Sequence, residues 1–396
     1  KEMYLSPIIS DTSLWLLCAA FVCVVLLAAI YMLRVRSVVT FRRRADRERP
    51  DKPDADYLPA SIVIYSQGES DSLEDMLRTL LNQDYPAAYE VIVVNEGESV
   101  EVRDIVSMLR ATHNNIYLTF TPQGVVNLSR KKLALTLGIK AARYDIVVLT
   151  TTAADIESPL WLKRMMRPFD RDSKAEIVLG YSYIAPDEDH AFGARRRAFD
   201  HVAESVRWIG TAIARHPFRG TEYNIAYRKQ AFLRNKGFAR SLNMHYGDDD
   251  IFISEIARRD NTVVELSDES IVRLRQGNHP RLFTERVLRR IFTESHIKRR
   301  PRFIFGLIGW LQIAAIVTSA LAAYMSYPNM QPAIIGAVIV LAMLILDIAT
   351  WRPAMKALKS RPLLITIPWY SITYPLRRIC RHLRSHIGKQ KKYTWD

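Results

Sequence analysis

The sequence predicts an α/β domain with a mostly parallel central sheet, attached to transmembrane helices. Three short runs, Ser61–Ser66, Glu90–Asn95 and Asp145–Thr150, are apolar along most of their length. Such strands are typically buried on both faces, as they are in parallel sheets covered by helices. Segments with helical periodicity alternate with these runs, which is typical of α/β domains. Three longer uncharged runs predict membrane spans.

The first of these longer runs, Leu14–Leu33, has 20 residues without a charge. A run of this length can cross a hydrocarbon core of roughly 30 Å. A cleaved signal peptide is the alternative, but signal peptides carry positive charge before a shorter apolar core, whereas here the cations follow it. We therefore expect an uncleaved anchor. Phe303–Met325 and Pro332–Ile348 predict two further spans, and we expect Asp347 to reach the membrane interface.

The chain carries 56 basic and 41 acidic residues, a formal net charge of +15. The excess lies beside the apolar runs, with seven arginines within Arg34–Arg49 and seven cations between Arg377 and Lys392. This placement favours membrane lipids as partners and argues against nucleic acid. The positive-inside rule places the N-terminus outside and the chain from Arg34 to Arg302 in the cytoplasm. We therefore expect a multi-pass protein of a bacterial inner membrane.

The predicted organisation divides the chain into eight segments. They are an extracytoplasmic N-terminus (1–13), a transmembrane helix (14–33), a basic linker (34–59), a cytoplasmic α/β domain (60–280), a basic interfacial helix (281–302), two more transmembrane helices (303–325 and 332–350) and a basic interfacial tail (362–396). The tail begins with an apolar stretch interrupted by Pro368 and Pro375, so an interfacial helix is expected there rather than a fourth span. The helix at 281–302 is expected to bind anionic lipid or a lipid diphosphate.

Several short motifs follow one another through the α/β domain. They are NQDYP at Asn82–Pro86, EVIVVNEG at Glu90–Gly97, KKLALTLGIKAA at Lys131–Ala142, ESPLWL at Glu157–Leu162, IVLGY at Ile177–Tyr181, NIAYRK at Asn224–Lys229 and GDDDIF at Gly247–Phe252. In order and spacing they resemble the membrane-bound family 2 glycosyltransferases, the superfamily of cellulose and hyaluronan synthases. This resemblance implies a GT-A fold and an inverting enzyme. Such an enzyme moves a sugar from a nucleotide-sugar donor to a lipid-linked or polysaccharide acceptor at the cytoplasmic membrane face.

Direct displacement at a sugar carbon needs a carboxylate that deprotonates the acceptor hydroxyl and cations that stabilise the departing diphosphate. Similar enzymes place this base in an acidic turn, and matching their GDD motif here makes Asp249 the candidate, with Asp248 and Asp250 beside it. Adjacent carboxylates raise one another's pKa, which suits a base that acts near neutral pH. The alternative is that this aspartate only caps the helix that follows.

The candidate donor-binding residues follow from the same resemblance. Glu69, Asn95 and Glu96 stand at the carboxyl ends of the first two strands, where the family's carboxylates contact base and ribose. Lys131 and Lys132 open a helix and can face phosphate. The alternative is that these residues are solvated loop charges.

The metal motif departs from the family pattern. The family places a pair of aspartates one residue apart after the fourth strand, and the shared SPLW motif aligns Thr151 and Ala153 with them. Asp155 is the candidate substitute ligand for Mg²⁺ or Mn²⁺ if the loop shifts by two residues. In the motif before the second span only His296 is retained, and we assign it to the donor. These departures keep open a second hypothesis, a catalytically inactive subunit with a structural or regulatory role in a cell-envelope protein complex.

Overall fold

The computed structural model describes residues 10–48, 57–66, 70–96, 99–122, 128–185, 193–275, 279–297 and 303–387. Within these ranges ten strands form two sheets. The strands are β1 (Ala60–Ser66), β2 (Tyr89–Asn95), β3 (Ile116–Phe120), β4 (Ile146–Thr151), β5 (Ala154–Asp155), β6 (Ile177–Leu179), β7 (Ser182–Ile184), β8 (Ile225–Arg228), β9 (Thr262–Val264) and β10 (Val272–Leu274).

The central sheet has seven strands in the order β3-β2-β1-β4-β8-β6-β9. β8 runs antiparallel to its neighbours β4 and β6, and the other neighbouring strands are parallel. β1 and β4 are buried along their whole length, because helices cover both faces of the sheet. The predicted mostly parallel α/β fold is therefore confirmed.

Thirteen α-helices lie in the described part of the chain. They are α1 (Asp11–Ile30), α2 (Arg36–Arg47), α3 (Ser70–Leu81), α4 (Val100–Arg110), α5 (Arg130–Ala141), α6 (Trp161–Arg171), α7 (Ala194–Ile213), α8 (Lys229–Arg234), α9 (Asp250–Ile256), α10 (Pro280–Glu294), α11 (Phe303–Met325), α12 (Gln331–Ala357) and α13 (Thr366–Ile387). A π-helical turn, Tyr31–Val35, joins α1 to α2.

Three helices are long and apolar enough to cross a membrane, and they span Asp11–Arg47, Leu307–Met325 and Gln331–Ala357. The first helix packs against both α11 and α12. These findings agree with a membrane protein. The first helix continues without interruption to Arg47, into the segment predicted as a basic linker.

The expectation that Asp347 reaches the membrane interface is wrong. Its side chain is fully buried, and its carboxylate accepts hydrogen bonds from the Tyr31 hydroxyl at 2.6 Å and the Gln312 amide at 2.7 Å. Polar groups inside membrane helices are tolerated when they have partners. This cluster therefore links the π-helical turn, α11 and α12.

Arginine side chains fasten the α/β domain to the membrane helices. Arg42 of α2 is buried, and its guanidinium donates to the Ala357 carbonyl at 3.1 Å and to the Asp268 carboxylate at 2.5 Å. Arg377 of α13 donates to Asp200 of α7 at 2.5 Å. Part of the basic charge beside the apolar runs therefore joins protein segments rather than facing lipid.

Candidate active site

The acidic turn before α9 depends on a glycine. Gly247 has φ = 108°, a conformation that residues with a Cβ rarely adopt. A Cβ at this position would also lie 2.5 Å from the Ile251 side chain. Asp249 is the last residue before α9, and its side chain accepts the backbone N–H of Asp250 at 2.9 Å. The cap predicted as an alternative role for Asp249 is therefore present in the structure.

The two outer carboxylates of the turn are held by cations and a hydroxyl. Asp248 lies 2.7 Å from the Lys131 ammonium and 2.7 Å from the Arg289 guanidinium. Asp250 lies 2.9 Å from Arg219, and it accepts a hydrogen bond from the Thr293 hydroxyl at 2.8 Å. Both aspartate side chains are almost completely enclosed. Their partners fix both carboxylates in place, and Asp250 also lines the small cavity beside Asp249.

The central carboxylate, Asp249, is less enclosed. Its side chain is 12% exposed, against 3% for Asp248 and 4% for Asp250. It accepts the backbone N–H of Glu222 at 3.2 Å and lies 3.2 Å from the Arg289 guanidinium. It also lines a small cavity that includes His201, and this cavity gives it space for an acceptor hydroxyl.

The pKa values of Asp248 and Asp249 shift in opposite directions, because both are buried but their charged partners differ. Burial raises the pKa of Asp249 from 3.8 to about 7, and the nearby Asp250 adds to this rise. Burial also favours the neutral form of Asp248, but Lys131 and Arg289 outweigh it and hold its pKa well below 3.8. Asp249 can therefore exchange a proton near neutral pH, as a general base must.

Two further residues, Glu222 and Tyr246, complete the network of contacts around the turn. Glu222, just before β8, contacts both Lys131 and Arg289. The Arg289 guanidinium also lies over the Tyr246 ring at 5.2 Å from its centroid. The network places two cations against three carboxylates, because Arg289 pairs with Asp248, Asp249 and Glu222 while Lys131 pairs with Asp248 and Glu222. It closes the turn from the side of α10.

Sequence reasoning did not assign Glu222 or Arg289 to the site. Arg289 was counted with the basic interfacial helix and was expected to face lipid. Arg286 and Arg289 are three residues apart, so they share one face of α10, and both line the cavity beside Asp249. This spacing was the available signal for Arg289. Glu222 had only its position directly before a buried strand.

The predicted donor residues on β1 and β2 have different placements. Glu69 lies outside the described residues. The Asn95 side chain is buried and exchanges hydrogen bonds with the backbone of Ser99, so it links the end of β2 to the residue before α4. Glu96 is partly exposed and accepts a hydrogen bond from the Tyr65 hydroxyl. Burial raises the pKa of Glu96, while Arg130 opposes this rise.

The two lysines at the start of α5 also differ. Gly138 lets α5 lie directly on the sheet, since a Cβ there would come within 2.6 Å of Val63. Lys131 points to the acidic turn, and Asp248 and Glu222 keep its pKa raised although burial opposes the charge. Lys132 is fully buried, and its ammonium donates to three backbone carbonyls of the loop between Ser241 and Tyr246. The structure thus gives Lys132 a role in holding this loop.

His296 lies beyond the end of α10 and is exposed. Its ring is 5.4 Å from that of Phe292, and its Nδ1 lies 2.9 Å from the Ser295 hydroxyl. The two residues between Phe292 and Ser295 face inward instead, since Thr293 contacts Asp250 and Glu294 contacts Arg207. None of these contacts places His296 beside the acidic turn.

The loop after β4, where the family resemblance implies a metal, leads into a small second sheet. This sheet has the order β5-β10-β7, and β10 pairs antiparallel with β5 so that Arg273 lies opposite Asp155. The Asp155 carboxylate lies 3.1 Å from Arg273 and also contacts Arg275. The Ala153 carbonyl accepts the backbone N–H of Arg275 at 2.9 Å.

The residues in this loop do not fit a divalent cation. Hard cations need several oxygen ligands that are free of other partners, usually including carboxylates. Here Thr151 and Ala153 supply no carboxylate, and two guanidinium groups already hold Asp155. Among the described residues, no group of three or more His, Cys, Asp or Glu side chains is arranged to hold a metal ion. This arrangement argues against Asp155 as the substitute ligand.

A larger cavity lies between α7, α11 and α13. Its volume is about 340 Å³. Its walls are mostly apolar and include Phe199, Ile308, Trp351, Ile379 and Leu383.

A charged cavity shares wall residues with this apolar cavity and with the small cavity beside Asp249. Arg207 and Arg378 line both the apolar cavity and the charged one. Arg290 lines both the charged cavity and the small cavity beside Asp249. The charged cavity therefore adjoins both the apolar cavity and the small cavity beside Asp249.

One comparison with a solved structure, at a TM-score of 0.50, supports the fold. A mannosyltransferase from Pyrobaculum calidifontis, solved with GDP-Man and Mn²⁺, is 17% identical, with 93% of this chain and 99% of its own chain covered at a TM-score of 0.50. TarS from S. aureus is 14% identical, with 84% and 92% covered at a TM-score of 0.42. Glucosyl-3-phosphoglycerate synthase from Mycobacterium tuberculosis is 16% identical, with 52% and 69% covered at a TM-score of 0.35.

The family comparison covers nearly the whole chain. No curated protein matches the chain in sequence. The model of glycosyl transferase family 21 matches residues 20–383, from within α1 to within α13. The match includes the acidic turn, the ion-pair network and the membrane helices, and it agrees with the glycosyltransferase and GT-A fold that the motifs predicted. The chain therefore belongs to glycosyl transferase family 21.

Proposed function

We propose that the protein transfers a sugar from a nucleotide-sugar donor to a lipid-linked acceptor at the cytoplasmic face of a membrane, with inversion at the sugar carbon. The observation that carries this proposal is the state of Asp249. It is the most exposed of three adjacent carboxylates, it lines a cavity, and burial raises its pKa to about 7. A carboxylate in this state suits the removal of a proton from an acceptor hydroxyl at physiological pH.

The reaction is a single displacement. Asp249 takes the proton of the acceptor hydroxyl, and the acceptor oxygen forms a bond to the anomeric carbon of the sugar. The bond from that carbon to the donor phosphate breaks, and its electron pair stays on the departing nucleoside diphosphate. Cationic side chains stabilise this leaving group because they are positioned before the charge develops. Attack opposite the leaving group inverts the configuration of the sugar carbon.

The apolar cavity supports a lipid-linked acceptor over a free polysaccharide. Its volume, about 340 Å³, lies at the lower end of the range for small-molecule sites. A hydrocarbon chain inside it would be surrounded by side chains of α7, α11 and α13. The charged cavity that follows suits a polar headgroup, and Arg290 connects it to the cavity of Asp249. A lipid held in this way would present a hydroxyl to the base.

The test is a transfer assay with the full chain in proteoliposomes. Radiolabelled UDP- and GDP-sugars are supplied together with a total polar lipid extract, and label in the organic-soluble fraction is counted. We expect a labelled lipid from at least one donor. Label found only in a water-soluble polysaccharide would contradict the lipid acceptor. No transfer from any donor, together with no binding of UDP or GDP, would contradict the proposed activity itself.

A second candidate function is the catalytically inactive subunit of a cell-envelope complex. The observation in its favour is that Lys131 and Arg289, which would otherwise be available to a diphosphate, are paired with carboxylates. Affinity purification of the tagged chain from its native membrane would recover a stoichiometric protein partner in that case. A chain that purifies alone and transfers sugar in the proteoliposome assay contradicts it.

A further inference from the structure

The positions at the end of β4 and in the loop after it that match the family's metal motif lack the chemistry of a metal site. Thr151 and Ala153 are uncharged, and the nearest carboxylate, Asp155, is 16% exposed and paired with two arginines. Guanidinium groups stay charged at any pH that a protein survives. A cation at Asp155 would therefore have to displace two permanent positive charges. Each guanidinium has five N–H donors, more than its contacts with Asp155 use, so both arginines can also bind an anion.

The arginines of this loop are accessible. The side chain of Arg273 is 38% exposed and that of Arg275 is 32% exposed. The backbone positions of both arginines are fixed, because β10 pairs with β5 and the backbone N–H of Arg275 donates to the Ala153 carbonyl. Glu157 lies 3.7 Å from Arg273 and accepts a hydrogen bond from the Tyr183 hydroxyl at 2.9 Å. The loop thus presents fixed cations at the carboxyl end of β4, where ligands of parallel sheets bind.

The hydroxyl of Thr151 is a second, independent sign of a ligand. This side chain is 9% exposed, and its Oγ1 is buried without a hydrogen-bond partner among the described residues. An unpaired buried hydroxyl is costly, so native structures usually pair it with a ligand or water. It can donate to a phosphate oxygen. An aspartate in the same place would repel that oxygen unless a metal ion lay between them.

We propose that this protein binds the diphosphate of its donor without a divalent cation, and that Arg273, Arg275 and the Thr151 hydroxyl contact the diphosphate oxygens. The inference rests on the proposed function, since it concerns the donor of the same reaction. When the bond between sugar and phosphate breaks, the electron pair remains on the phosphate oxygen, and the guanidinium groups offset its charge. Asp155 keeps the two arginines in place.

Calorimetry on the detergent-solubilised full chain tests this inference. UDP and GDP are titrated separately in EDTA and in MnCl₂. We expect the affinity of the bound nucleotide to be equal within about twofold in the two buffers. Binding that appears only with Mn²⁺, or tightens tenfold or more with it, overturns the metal-free site but leaves the proposed transferase standing. If neither nucleotide binds in either buffer, the proposed function fails together with this inference.

Variants connect the affinity to the named side chains. Arg275→Gln and Arg273→Gln should each weaken nucleotide binding in EDTA roughly tenfold or more, because each removes a charge-assisted contact. The matched control is Arg228→Gln, since Arg228 also pairs with an aspartate, Asp145, but at the opposite end of β4. Unchanged affinity in both Arg273→Gln and Arg275→Gln would overturn the proposal. Their melting temperatures should stay within a few degrees of the wild type.

Ala153→Asp keeps the test decisive if the arginine variants do not fold. Ala153 is exposed, so a larger side chain has room there. A metal-free site predicts that this new carboxylate weakens nucleotide binding in EDTA, because it repels the diphosphate. A site that uses a metal predicts instead that Ala153→Asp binds the nucleotide more tightly in MnCl₂ than in EDTA. Tighter binding with Mn²⁺ in both the wild type and the variant would contradict the inference.

Discussion

Ionisation of Asp249 should make the stability of the protein depend on pH, and an asparagine at this position should remove that dependence. Burial raises its pKa from 3.8 to about 7. The folded-state pKa therefore lies above the unfolded value. When the folded-state pKa is the higher one, the contribution of the group to the free energy of unfolding is complete below the unfolded pKa. It falls as pH rises and is lost above the folded pKa. Asp249→Asn removes the ionisation, so the variant should gain stability relative to the wild type between about pH 4 and pH 7.

The size of the effect follows from the shift. A rise from 3.8 to about 7 corresponds to roughly 4 kcal/mol, since each pK unit is about 1.36 kcal/mol. Between pH 5 and pH 7 the free-energy cost of ionising Asp249 in the folded protein grows by roughly 2–3 kcal/mol. For a chain of 396 residues, the melting temperature of Asp249→Asn relative to the wild type should therefore rise by about 3–5 °C from pH 5 to pH 8. Solvent screening removes little of this, because the side chain is only 12% exposed.

Asp248→Asn is the matched control, because it makes the same chemical change one residue away. Although burial favours the neutral form of Asp248, Lys131 and Arg289 hold its pKa well below 3.8. Its charge therefore stabilises the fold at every pH above the unfolded value, and Asp248→Asn should lower the melting temperature at both pH 5 and pH 8.

Tryptophan fluorescence during heating in detergent measures all three proteins at both pH values. A melting-temperature difference between Asp249→Asn and the wild type that does not grow with pH would refute the reasoning. A gain in Asp248→Asn that matches that of Asp249→Asn would refute it as well.

Three other changes test separate parts of the site. Arg289→Gln should move the acidic limb of the pH–rate profile to higher pH, because Arg289 lowers the pKa of Asp249. A limb at the wild-type pH would exclude this coupling. Lys132→Met should cost about 2–4 kcal/mol in denaturant unfolding, because it leaves three buried carbonyls without their donor, whereas a loss of nucleotide affinity alone would instead support a donor contact. Gly247→Ala should destabilise the fold by at least about 1 kcal/mol, because φ = 108° disfavours a Cβ and Ile251 occupies its space; wild-type stability would show that the turn can relax.

The parts of the fold that sequence patterns predicted are those determined locally. The apolar strands Ser61–Ser66 and Glu90–Asn95 closely match β1 and β2, because burial on both faces is visible in each run. The first span also follows from its own composition. Its continuation to Arg47 does not, because Arg42 is helical and buried only through contacts with Ala357 and Asp268, which are distant in the chain.

The site shows the same division between local and distant determinants. The acidic turn could be located because glycine and three aspartates are adjacent in sequence. Glu222 could not, and the spacing of Arg289 in the sequence shows only which face of α10 it shares, since the tertiary structure alone brings Glu222 and α10 to this turn. Lys132 resembled a phosphate-binding lysine because it opens a helix, but its burial under the loop at Tyr246 depends on residues more than a hundred positions away. Asp347 was misjudged for the same reason, as its partner Tyr31 lies in the first helix.

The rate of sugar transfer by Asp249→Asn, measured beside its affinity for the donor nucleotide, tests the central claim most directly. Both quantities are obtained from one preparation of the full chain, by the proteoliposome assay and by calorimetry. The proposed general base predicts that transfer falls by roughly 10²–10⁴ while nucleotide affinity stays within about twofold of the wild type. Transfer by Asp249→Asn at close to the wild-type rate would contradict the assignment of Asp249 as the base.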